Sequence, residues 1–169
     1  MKRSSAVIAG LLLLAIRIGA QDVKTDHDVS ANFAKYKTYM WTKGTPAPSP
    51  FTEDRIRNGV NQNLAAKGLK PVDANADMVV ATHVVTQQQK ELVAQGFGGP
   101  RFGGMGSASM QTLIQGSLVL DFYDAGTKNL VWRGVGTETF DEVDPQKIAK
   151  KIDKALEKMF KEYPPKSKS

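Results

Sequence analysis

The sequence predicts an α+β domain, a mostly antiparallel sheet of about five or six strands with two helices packed on one face. Three observations predict it. Thr52 to Gly68 and Asp144 to Tyr163 place apolar residues at the helical period, and the stretches before and between them are rich in β-branched and aromatic residues. The third is the order of these segments: too few helices fall between strands for a doubly wound parallel sheet.

Asp22 to Asp28, DVKTDHD, and Phe33 to Trp41, FAKYKTYMW, read as strands, the second most firmly from Thr38 to Trp41. In GTPAPSP, residues 44–50, Pro46, Pro48 and Pro50 forbid regular structure and mark a loop. Thr52 caps a helix whose Ile56, Val60 and Leu64 recur every four residues, with Glu53 and Asp54 at its positive end. Lys67-Gly68 ends it with a basic turn and a left-handed terminator. An extended piece, Leu69 to Val72, leads to ADMVVATHVVT, Ala76 to Thr86, whose β-branched run fits a buried central strand.

The next strong signal is a hairpin. Leu118, Leu120 and Phe122 alternate with Val119, Asp121 and Tyr123, turn residues fill Asp124 to Asn129, and a second strand follows through Trp132. If Phe122 faces Trp132 across it, Asp121 stands opposite Arg133 on the other face, an ion pair contributing roughly 0.2 to 1 kcal/mol. Asp144-Pro145 then starts a helix, with an N-cap followed by proline at the first helical position. Its stripe is Ile148, Ile152, Ala155, Leu156, Met159, Phe160 and Tyr163, and Pro164-Pro165 stops it.

Ahead of these elements, Lys2 and Arg3 precede the apolar run Ala6 to Ile16 and the small residues Gly19-Ala20, the pattern of a signal peptide over residues 1–20. The run is shorter than the roughly twenty apolar residues of a membrane span, so no transmembrane anchor is expected after cleavage. Removing Lys2, Arg3 and Arg17 leaves 20 basic residues against 17 acidic, so the formal charge falls from +6 to +3 and gives no case for nucleic acid. The chain has no cysteine, which excludes disulfides and thiol catalysis and, with Gln21 where a lipidated cysteine would stand, lipid attachment at the mature N-terminus. Residues 21–163 are expected to form one periplasmic or secreted domain, and 164–169 a disordered tail.

The segment QGFGGPRFGGMGSASM, Gln95 to Met110, carries six of the fifteen glycines. A phosphate loop needs a third glycine where Arg101 stands, or a lysine where Met105 stands, and a helix after it. Arginine-glycine nucleic-acid segments repeat arginine, whereas Arg101 is alone. The segment therefore reads as a long glycine-rich loop over 88–111, with Phe97 and Phe102 as apolar tips that could touch a partner or membrane.

The ordered set of segments resembles one family, the bacterial envelope family known as domain of unknown function 4136, many of whose members look like lipoproteins. The matching residues are Phe33, Tyr36-Lys37-Thr38-Tyr39 and Trp41; Ile56, Val60 and Leu64 with Lys67-Gly68-Leu69; and Ala76-Asp77-Met78-Val79-Val80. Gly116 to Asp121, Leu130 to Gly134, and Ile152, Ala155, Met159-Phe160 and Tyr163-Pro164-Pro165 complete them. The resemblance implies an envelope address and supplies no catalytic residue, and Gln21 departs from its lipoprotein members.

No catalytic, cofactor or metal residue is assigned. His27 lies between Asp26 and Asp28, but neighbouring strand residues point to opposite faces, so the three do not converge on a metal. His83 reads as a hydrogen-bonded, buried or half-buried residue, since a general base needs a partner. The last helix carries Lys150, Lys151, Lys154 and Lys158 on its outer face, candidates for contact with an anionic surface. The leading expectation is a non-enzymatic binding or scaffolding domain whose groove or sheet edge meets an envelope protein, lipid or small ligand. The alternatives are an anionic-membrane binder working through those lysines and, behind it, a hydrolase built on His83 with a distant serine and aspartate.

Overall fold

In a computed structural model, residues 22–96, 106–140 and 144–166 are described. Along the chain run β1 (Asp22–His27), β2 (Thr38–Trp41), α1 (Pro50–Ala66), β3 (Lys70–Pro71), β4 (Met78–Gly96), β5 (Gly106–Asp124), β6 (Leu130–Phe140) and α2 (Pro145–Lys161). The strands form one sheet in the order β1-β6-β5-β4-β2-β3. The pairs from β1 to β4 are antiparallel, while β2 runs parallel to both β4 and β3. Parallel neighbours need a crossover, which α1 supplies between β2 and β4. The predicted α+β class and mostly antiparallel sheet are what the molecule has.

The inner face of the sheet is read off the register. Phe122 pairs with Trp132 and Val80, and the two rings stack at 4.8 Å with Tyr163 edge-on to Phe122 at 4.9 Å. Ile56, Val60 and Leu64 of α1 and Ala155, Leu156, Met159 and Phe160 of α2 close over these rings as one core. Each large side chain so buried contributes roughly 1.5 to 3 kcal/mol. Arg55 on α1 and Asp153 on α2 tie the helices together at their exposed edge, with Nε to Oδ1 at 2.9 Å.

Local chemistry sets the boundaries, in three places differently from expectation. Asn32 caps a short 3-10 turn at Phe33–Lys35, so the strand starts only at Thr38. Helix α1 begins two residues before Thr52: Ser49 is its N-cap and Pro50 its first residue, where a missing N–H costs nothing. The largest correction concerns the glycine-rich loop placed at 88–111. Residues 88–96 and 106–111 are strand, paired without a break from Gln88↔Ile114 to Gly96↔Gly106; residues 97–105, with Phe97 and Phe102, lie outside the described residues. An antiparallel ladder is satisfied by backbone groups alone, so two polar, glycine-bearing strands that fold back on each other continue it past the apolar core.

Other boundaries fall where the sequence places them. Gly68 has a φ of +83° just after α1, the left-handed terminator position, and Asp144 Oδ1 accepts from the amides of Gln146 and Lys147 at the start of α2. Pro71 sits in β3 at the sheet edge, where its missing donor leaves no inner ladder broken.

Candidate functional site

The long hairpin creates the site. Strands β4 and β5 run on beyond the point where the helices cover them, and the first turns of α1 and α2 stand over the exposed step. The result is a groove of 380 Å³, within the ~300–1,000 Å³ range of small-molecule pockets. Its floor is the inner face of the sheet, including Val84, Ile114, Gly116, Leu118 and Phe140, and its walls include Ile56 of α1 and Ile148, Ile152 and Ala155 of α2. Period-two alternation puts Ile114, Gly116 and Leu118 on one face, and Gly116 deepens the floor because it has no side chain.

Ser49, Thr52, Thr86 and Ser117 add hydroxyls to this mostly apolar lining, and one ionic pair interrupts it. Glu138 lies opposite Gly116 on the inner face of β6, and its Oε1 receives Lys151 Nζ of α2 at 3.1 Å. The Glu138 side chain is only 12% exposed, and its Oε2 is buried with no hydrogen-bond partner among the described residues. A buried acceptor left without a donor costs free energy that a bound donor would recover. Sequence reasoning missed Glu138. Its signal was the acid in Trp132, Gly134, Gly136, Glu138, Phe140, the inward set of β6.

The outer face carries a second polar group of residues. Asp121 is fully buried, accepts from Arg133 Nε at 2.6 Å and Nη2 at 2.7 Å, and receives the Tyr123 hydroxyl at 3.2 Å. This is the predicted cross-strand pair, in register. Asp121 raises the Arg133 guanidinium further above its ordinary value, and burial, reinforced by the Asp121 charge, pushes the Tyr123 phenol up. His83 completes the row, half-buried, with Nε2 3.8 Å from Asp121 Oδ2. Its Nδ1 accepts the Thr45 amide at 3.1 Å and lies 3.1 Å from Thr45 Oγ1.

That geometry answers the question of a partner for His83. A hydroxyl, an imidazole and a carboxylate do line up, but the hydroxyl belongs to Thr45 rather than a serine. The Nδ1 lone pair is already engaged by an amide N–H, and the carboxylate is held by a bidentate arginine. What the arrangement does is pin residues 42–45 along β4, where Thr42 donates to the Val80 carbonyl and Val84 to that of Thr45.

The lysines of α2 do not form one free patch. Lys151 turns to Glu138, and Lys158 is half-buried beside Asp22, Val23 and Thr25. Lys150 and Lys154 are exposed. At β1, Asp26 and Lys24 occupy the face opposite Val23 and Thr25, and Asp28 turns its carboxylate to the amide and hydroxyl of Ser30 at 2.8 and 2.6 Å. At the far end of the core from the groove, Phe33, Tyr36, Leu69 and Tyr163 line a second, more polar hollow of 560 Å³.

Comparison with family models matches residues 23–165 to the one described as Domain of unknown function (DUF4136). No curated protein matches. Among solved structures, a PDZ domain protein from Parabacteroides distasonis ATCC 8503 superposes with a TM-score of 0.59 at 15% identity, over 85% of this chain and 35% of the other. This chain thus spans about a third of that protein's length, and the likeness is one of fold. A PelC dodecamer from Paraburkholderia phytofirmans (TM-score 0.46, 16% identity, 81% of this chain and 95% of the other) and a minor lipoprotein from Acinetobacter baumannii (0.37, 13%, 75% and 91%) are more distant.

Proposed function

The chain belongs to the DUF4136 family, and from that premise we propose that it is an exported envelope domain, without a catalytic role of its own, that binds a small apolar molecule. The observation that carries the reading is the groove between the helix pair and the long hairpin, with its apolar lining and 380 Å³ of space. The signal-peptide pattern of residues 1–20 supports export. Asp121 held by Arg133, and His83 engaged by the Thr45 amide, support a non-catalytic role.

Binding of Nile red, whose emission rises in apolar surroundings, tests the groove. The protein is expected to enhance the dye, and Gly116→Leu to weaken binding roughly tenfold, which is ~1.4 kcal/mol. A Cβ at Gly116 would meet only the Phe140 ring, at 3.4 Å, so the larger side chain fills the groove rather than the core. Enhancement unchanged in this variant would place the dye elsewhere and sink the reading. The anionic-surface alternative is the weaker one, because Lys151 is drawn toward Glu138 and away from the outer face.

A further inference from the structure

We propose that the groove selects amphiphiles whose polar end is a neutral hydrogen-bond donor, a hydroxyl, and that Glu138 reads that end. The inference rests on the groove being a ligand site and names the chemistry of its occupant. A carboxylate is an anomaly on an inward strand face, since burying it is costly unless its oxygens find donors. At Glu138 one oxygen has found Lys151 at 3.1 Å and the other is buried without a donor among the described residues. Paired as an ion, the group is an acceptor at both oxygens, so Oε2 asks for a donor and repels another acceptor.

Lys151 decides the charge of that donor. It already offsets the negative charge of Glu138, so an ammonium would bring a second cation into the site and lose its own hydration for little gain. A hydroxyl satisfies Oε2 at a smaller desolvation cost. Ser49, Thr52, Thr86 and Ser117 also line the groove, but most of the remaining lining, including Val84, Ile114, Leu118, Phe140, Ile148 and Ile152, is aliphatic or aromatic and suits a hydrocarbon body. Both ends of the occupant are thus specified, a chain or ring system along the floor and a hydroxyl at β6.

Competition for Nile red on the full protein tests this with octanol, its isomer heptyl methyl ether, which lacks the donor, and octanoate, which replaces it with acceptors. Octanol is expected to bind roughly tenfold tighter than the ether, and octanoate weakest of the three. In Glu138→Met the preference for octanol over the ether should shrink to within about twofold, because the reading acceptor is gone. Ether and alcohol competing equally against the unsubstituted protein would overturn the selection rule while leaving the groove reading intact. Failure of all three to displace a dye that Gly116→Leu does weaken would overturn it as well, by excluding amphiphiles altogether. Dye binding insensitive to Gly116→Leu defeats the groove reading itself, and this inference with it. The comparison of ligands needs no variant, so it stands even if Glu138→Met does not fold.

Discussion

Asp124 holds the turn between β5 and β6 with one carboxylate. Oδ1 accepts from the amides of Gly126 and Thr127 at 3.0 and 2.8 Å, and Oδ2 from the Tyr36 hydroxyl at 3.0 Å and Lys35 Nζ at 2.5 Å. The Lys35 ammonium, then the Thr127 amide, hold this carboxyl well below the usual range. A folded-state pKa below the unfolded value of about 3.9 means that protonation favours the unfolded chain. The stability Asp124 contributes is therefore complete above pH ~4 and is lost as the pH falls below it. Asp124→Asn should cost about 2 kcal/mol at neutral pH and reduce the loss of thermal stability between about pH 4 and 2. Melting curves across that range check it, and an unchanged acid slope in the variant would show that other carboxylates dominate. At this scale the sequence was informative about residues in regular register, such as Asp121 opposite Arg133. It was silent on Glu138, and for His83 it gave a hydrogen-bonded residue without its partner; those partners come from α2 and from the chain before α1, distances that no local pattern encodes.

The elements were legible wherever side chains decide them. Helix α2, with its aspartate cap, proline and apolar stripe, could be bounded from its residues, and so could the turn at 124–129. Helix α1 was found by its period but started too late, because proline was taken only as a breaker and not as a first helical residue. The outer halves of β4 and β5 were missed for a different reason. In Gln87-Gln88-Gln89 and Gly106-Ser107-Ala108-Ser109 neither apolar alternation nor β-propensity is present, and the strand state comes from the partner across the ladder. Backbone proximity matters equally at β2, whose extension passes so close to β4 that a Cβ on Gly44 would collide with the Thr82 carbonyl oxygen. Gly44→Ala should therefore cost about 3 kcal/mol and release Thr45 from His83. Urea denaturation measures the cost, and a loss below about 1 kcal/mol would mean that the 42–45 segment shifts aside without penalty.

At the scale of the whole molecule, one core beneath two helices supports a ladder longer than itself. Among the described residues, strand β5 has β6 beside it only as far as Ile114, and the pairing of β4 with β2 and residue 45 ends at Val84. Beyond these limits the hairpin holds its described length by its own hydrogen bonds, and a two-stranded ribbon is marginal alone in water. The ladder should therefore exchange its amide hydrogens in two regimes. Those of Leu118 to Phe122, covered by the core and by strands on both sides, should exchange only through global unfolding, whereas those beyond Gln88 and Ile114 should exchange through local opening at far lower free energy. Exchange followed by mass spectrometry or NMR would show a step in protection near Ile114, and uniform protection along β5 would mean that the hairpin opens with the core as one cooperative unit. Since that step falls at the floor of the groove, an occupant lying across it would couple the two regimes and slow exchange in the ribbon without touching its far end.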